Sequence, residues 1–123
     1  MIVGAVSDSL EATVPLRIIG MDGAAVALDA VVDTGFTGEL TLPQDTVTDL
    51  GLEYADSVPA ILADGSQVQV EVYECRVAWD GTERRIQVHC LEGTVLVGMS
   101  LLLAHRVRLD VIPGGPVTVA ALP

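Results

Sequence analysis

Three Asp-Gly pairs, Asp22-Gly23, Asp64-Gly65 and Asp80-Gly81, punctuate a chain whose intervening segments are rich in Val, Ile and Leu. Asp-Gly between apolar runs is hairpin chemistry, because glycine enters positive φ without steric cost and aspartate tolerates it. Strands joined by such tight turns pair with their neighbours in the chain, so the spacing predicts an all-β domain of consecutive antiparallel hairpins. The first hairpin joins residues 14–19 to residues 24–32. The second joins 57–62 to 66–74, and the third turns at Asp80-Gly81 and returns along 85–91.

Within the second hairpin Val68, Val70 and Val72 alternate with Gln67, Gln69 and Glu71, the pattern of a strand with one dry and one wet face. The parity then changes to Cys75, Val77 and Trp79, which predicts a bulge or bend near Tyr73-Glu74. Ile86, Val88 and Cys90 share a face of the returning strand. Residues 1–9 read as a short terminal strand. Residues 94–98 form an apolar strand ending in glycine, and Leu101 to Ala104 read as a short helix. Val107, Leu109 and Val111 alternate with polar partners before Pro113-Gly114-Gly115-Pro116 turns the chain into a last strand over 117–121.

The first hairpin delivers the chain to Asp33. Ala30-Val31-Val32 is apolar, Asp33 follows, and Thr34-Gly35-Phe36-Thr37-Gly38 makes a tight loop before the short strand Leu40-Thr41-Leu42. Pro43 then opens a short helix over 44–50 with Gly51 as its stop. A carboxylate at the end of a buried strand loses water and needs hydrogen bonds, a partner or a proton in compensation. Thr34 can supply a hydroxyl, and Gly35 lets backbone amides turn toward the acid.

Composition narrows the chemistry available to that acid. At 123 residues, half of them hydrophobic, the chain suits one domain, 1–123, and is too short for two ordinary ones. Seventeen acidic against six basic residues give a formal charge of -11, which repels nucleic acid, so no nucleic-acid partner is expected. All the basic residues are Arg, which removes Schiff-base lysine chemistry and the P-loop lysine. His89 and His105 are too few and too far apart for a metal site or a Ser-His pair, and read as structural or solvent-facing; no metal and no cofactor is expected. Cys75 and Cys90 read as buried free thiols, or alternatively as one disulfide between neighbouring strands. The start of the chain lacks a basic leader and the longest apolar run, 94–104, is too short to span a bilayer; the expectation is a cytoplasmic protein with no membrane association.

The apolar-apolar-Asp33-Thr34-Gly35 loop, the glycine-tipped hairpin at Ala63-Asp64-Gly65-Ser66 and the late Leu96-Val97-Gly98 segment occur in the order seen in retropepsin-like aspartic proteases, and the chain resembles that family over nearly its whole length. The resemblance implies a closed, antiparallel, barrel-like acid-protease fold with one or two short helices. It implies a homodimer in which Asp33 of each copy meets at a two-fold axis, and a peptide or protein substrate cleaved by water activated between the two carboxylates. Thr34 would bond across the dimer and Gly35 would present its amide to the carboxylate. Leu62, Ala63, Asp64, Gly65 and Ser66 would form a flap over the substrate, and Val97 and Gly98, with Phe36, would lie against the catalytic loop and its subsites.

Two residues depart from the best-known pattern of that family. Phe36 stands where a small residue is usual, so that its ring either narrows a subsite or fills the core. Met99-Ser100 stands where viral members carry an internally paired Arg, so that the dimer-supporting ion pair is either missing or rebuilt from Arg106 or Arg108. The alternatives to a protease are a peptide-binding dimer of the same fold with little or no hydrolysis and a purely structural β domain. Without the resemblance, Asp33 reads as a residue that merely caps a turn.

Overall fold

The computed structural model describes residues 1–123. Ten strands and one helix follow in the order β1 (Ile2–Val6), β2 (Ala12–Ile19), β3 (Ala25–Val32), β4 (Leu40–Leu42), α1 (Gln44–Asp49), β5 (Glu53–Ile61), β6 (Gln67–Trp79), β7 (Thr82–Cys90), β8 (Leu96–Val97), β9 (His105–Leu109) and β10 (Pro116–Ala121). The glycines of all three Asp-Gly pairs take positive φ, between 84° and 87°, so the turn chemistry read from the sequence is the turn chemistry used. The fold is all-β and mixed. β6-β7-β4-β8-β3-β2 are hydrogen-bonded in series, and a further β2–β6 pairing closes them into a ring. β5 extends outside that ring on β6, while β1-β10-β9 extend outside it from β2.

The ring departs from a simple antiparallel barrel in a way the hairpin reading could not foresee. β3 pairs with β8, and β4 with β7, in parallel. Parallel neighbours must be distant in the chain, so a code of tight turns leaves no trace of them. The long strand β6 also resolves the change of parity differently. It runs without interruption opposite β7 from Val72 to Trp79, and the register shift lies in its other neighbour, between Tyr54 and Asp56 of β5. An unbroken strand has two faces, and β6 buries one in each half: Val70 and Val72 near the hairpin, then Cys75, Val77 and Trp79 in the ring. No bulge in β6 is needed.

The helix expected over 101–104 is absent. The amides of Leu101 and Leu102 both donate to the Gly98 carbonyl at 3.2 Å, and Ala104 then turns at φ 65° into β9. Leu101 and Leu102 are both buried, which this tight turn permits. The single helix is α1, with Pro43 as its N-cap in an extended conformation.

One hydrophobic cluster fills the ring, built from β2 (Val14, Leu16, Ile18), β4, β7 (Ile86, Val88), the second half of β6, α1 and the Leu101-Leu102 turn. Val117 and Val119 of β10 belong to it as well, so the outlying sheet is packed onto the ring. No helix is long and apolar enough to cross a membrane.

Candidate active site

β3 ends at Val32 on one rim of the ring, and Asp33 is the first residue beyond it. Its position is set by β8, the parallel neighbour: the Asp33 amide donates to the Val97 carbonyl at 2.9 Å, continuing the ladder one residue past the strand. The loop then folds on itself. The Gly35 amide donates to Asp33 Oδ1 at 2.9 Å and the Phe36 amide to the Asp33 carbonyl at 3.2 Å. Asp33 is half-buried, less withdrawn from water than the end of a buried strand suggests, because Thr34 and Gly35 beside it are exposed.

A second set of bonds locks the loop to the segment after β8. The Gly98 amide donates to the Glu39 carbonyl at 2.9 Å, the Met99 amide to the Phe36 carbonyl at 2.8 Å, and the Ser100 amide to the Gly38 carbonyl at 3.2 Å, while the Ser100 hydroxyl donates to the Thr37 carbonyl. Glycine is required at this crossing. A Cβ on Gly98 would stand 2.1 Å from the Gly38 carbonyl oxygen and 2.5 Å from the Phe36 ring. Val97 and Gly98 are buried, so they hold the Asp33 loop through its backbone and have no free surface for a substrate; the expectation that they line a subsite gives way to a positioning role.

Phe36 shows why a large residue is accommodated after Gly35. Its ring lies over Gly38, whose Cβ would meet it at 2.5 Å, and over Gly98, and it meets the edge of His89 with ring centroids 5.5 Å apart. Half-buried, it neither enters the main core nor stands free as a subsite wall.

His89, read from the sequence as structural or solvent-facing, is structural. It packs beneath the loop, its Nδ1 is buried without a hydrogen-bond partner, and desolvation holds its pKa below the ordinary histidine value against a smaller upward pull from the Glu39 carboxylate. The available signal was its parity. On β7 it faces away from Val88 and Cys90, and it pairs with Val72, whose face is the apolar side of the β5–β6 hairpin. His105 sits elsewhere and is structural: its Nε2 accepts from the Trp79 indole at 3.0 Å.

The β5–β6 hairpin rises from this base. Val58 pairs with Val70 and Ala60 with Val68, so its apolar face continues outward from Val72, His89 and Phe36. Leu62, Ala63, Asp64, Gly65 and Ser66 form an exposed tip closed by the Leu62 amide on the Ser66 carbonyl at 2.9 Å. Asp64 Oδ1 accepts from the Ser66 hydroxyl at 2.6 Å and the Ser66 amide at 2.9 Å, and these bonds hold its pKa below the usual carboxylate value. Away from the site, Cys75 and Cys90 are free thiols, and burial pushes Cys75 up to about 12, a thiol without nucleophilic character. No cluster of His, Cys, Asp and Glu is arranged to hold a metal ion.

Comparison with solved structures places this architecture. The crystal structure of a retropepsin-like aspartic protease from Rickettsia conorii superposes with a TM-score of 0.61 and 20% sequence identity, over 97% of this chain and 90% of that chain. No protein-family model matches the chain, and no curated protein matches it in sequence. The likeness is one of fold, and the fold is retropepsin-like.

Proposed function

We propose that the chain is an aspartic endopeptidase whose site is assembled from two copies. The observation that carries this reading is the placement of Asp33: a half-buried carboxylate at a strand end, oriented by the Gly35 amide and anchored to β8, in a loop whose Phe36 ring meets His89 at the base of a projecting hairpin, in a retropepsin-like fold. One such carboxylate is half of a proton-transfer device, and an isologous dimer supplies the other by bringing a residue against its own copy.

With two Asp33 carboxylates about 3 Å apart, one shared proton relieves the repulsion. The ionised carboxylate takes a proton from water as the water oxygen attacks the peptide carbonyl, and the protonated carboxyl donates a hydrogen bond to the carbonyl oxygen as it gains negative charge. Collapse of the tetrahedral intermediate breaks the C–N bond, and the amine leaves with a proton returned from the dyad. In this reading Thr34, exposed beside Asp33, bonds across the axis through its hydroxyl. The Leu62–Ser66 tip closes on an extended peptide, whose backbone pairs as an added strand. No step requires a cofactor.

The test is cleavage of a peptide library from acid to neutral pH by the wild type and by Asp33→Asn. Cleavage lost in the variant supports the reading. A proven dimer that cleaves nothing sinks it, and if that dimer still binds peptides the peptide-binding alternative takes its place.

A further inference from the structure

The rim of the ring that carries Asp33 also carries an apolar patch. β3 ends there, and the registers Thr13–Val31 and Val6–Ala12 bring the start of β2 and the end of β1 to the same level. The β9–β10 turn joins them, because the Gly114 amide donates to the Val6 carbonyl and the Val6 amide to the Gly115 carbonyl, both at 2.8 Å. The β1–β2 turn is closed beside it by the Leu10 amide on the Ser7 carbonyl at 2.9 Å. From these two turns Leu10, Val111 and Ile112 project into solvent at about 60% exposure, and Leu109 at 42%. Large aliphatic residues gathered this way on a monomer mark an interaction surface.

We infer that this patch is where the second copy of the chain docks to complete the Asp33 site, an inference that rests on the two-copy reading above. Three observations select this occupant and this face. The terminal strands are already committed inside one chain: β10 pairs with both β1 and β9, and Gly4 crosses β2 so closely that a Cβ would stand 1.8 Å from the Thr13 carbonyl oxygen. β1 and β10 are not free to interleave with a partner, so contact uses the open edge of β9 and what projects beyond the strands. The second observation is charge. Every charged residue from Asp33 to Glu74 is acidic, so copies meeting through the hairpin and helix would repel. The β9–β10 unit is different, with exposed Arg106 and Arg108 against one acid, Asp110, while Asp8 and Glu11 lie in the neighbouring β1–β2 turn. A self-complementary contact needs both signs in one patch, and this one has them.

The third observation is reach. β3 and β9 are four strand spacings apart, on the order of 20 Å along the sheet. An interface of standard size, roughly 800 Å² on each partner, is on the order of 30 Å across and can include both Asp33 and the patch.

The experiment is light scattering and sedimentation of the wild type, Val111→Asp/Ile112→Asp and Leu10→Asp, with Met21→Asp at the opposite end of β2–β3 as control. The substituted residues are exposed turn positions, and circular dichroism verifies that each variant is folded. The expected result is a wild-type dimer, a dissociation constant raised about 100-fold or more in the two patch variants, and a Met21→Asp protein that dimerises like the wild type. A second readout needs no added charge: in Ile112→Cys, alkylation at position 112, located by mass spectrometry, is slow in the concentrated protein and fast on dilution. Folded patch variants that dimerise with wild-type affinity, or equal alkylation rates in dimer and monomer, overturn the patch and leave the two-copy reading standing. A wild type that stays monomeric at high concentration overturns both.

Discussion

At the scale of single residues, the Asp33 loop rests on a contact between two glycines and an aromatic ring. Gly38 and Gly98 lack side chains where Phe36 lies, and His89 closes the edge of the same space. The cost falls on His89, whose Nδ1 is buried without a partner. Its pKa is lowered chiefly by desolvation, with Glu39 opposing. The folded chain therefore binds fewer protons at this site than the unfolded chain, and stability falls with pH from about 6.5 down to the lowered folded value. Urea midpoints between pH 7 and pH 5 are expected to decline more steeply for the wild type than for His89→Leu. Identical pH profiles would show that His89 is not the titrating group.

At the scale of elements, the parallel contacts position the Asp33 loop, and their weak point is β8, which is only Leu96–Val97. Thr41 compensates from β4. Its buried hydroxyl donates to the Thr94 carbonyl at 3.3 Å and accepts from the Leu96 amide at 2.8 Å, tying β8 to the ring on the side away from β3. Thr41→Val keeps the shape and leaves both backbone groups unsatisfied, at a cost of about 1–3 kcal/mol. Chemical denaturation measures this, and any peptidase activity is expected to fall further than the stability loss explains, since the Asp33 amide hangs on the same strand. A variant as stable as the wild type would mean that water replaces the hydroxyl.

At the scale of the whole molecule, the charge distribution and the proposed site make opposing demands. A chain of net charge -11 resists self-association, yet one copy holds only one Asp33. Peptidase activity per chain is thus expected to rise with protein concentration and then to plateau, with the midpoint moving to lower concentration as salt screens the repulsion. Activity per chain that is flat from nanomolar to micromolar would contradict a site shared between copies.

Much of this was legible in one dimension. The hairpins could be read because their instructions are local: an Asp-Gly turn and a period of two specify which neighbours pair and which face is dry. Asp33 and its loop were legible for the same reason, as an acid placed where an apolar run stops. The parallel pairs, the ring closure through β2 and β6 and the position of His89 depend on contacts between residues dozens of positions apart, and no local pattern encodes them. The Leu101–Ala104 turn misled for a related reason: its residues favour helix, and burying two adjacent leucines at the end of the ring outweighed that preference. By itself the sequence determined the strands, the turns and the acid. Tertiary structure decided what fixes that acid in place, because a two-residue strand and a glycine crossing act only when distant segments are brought together.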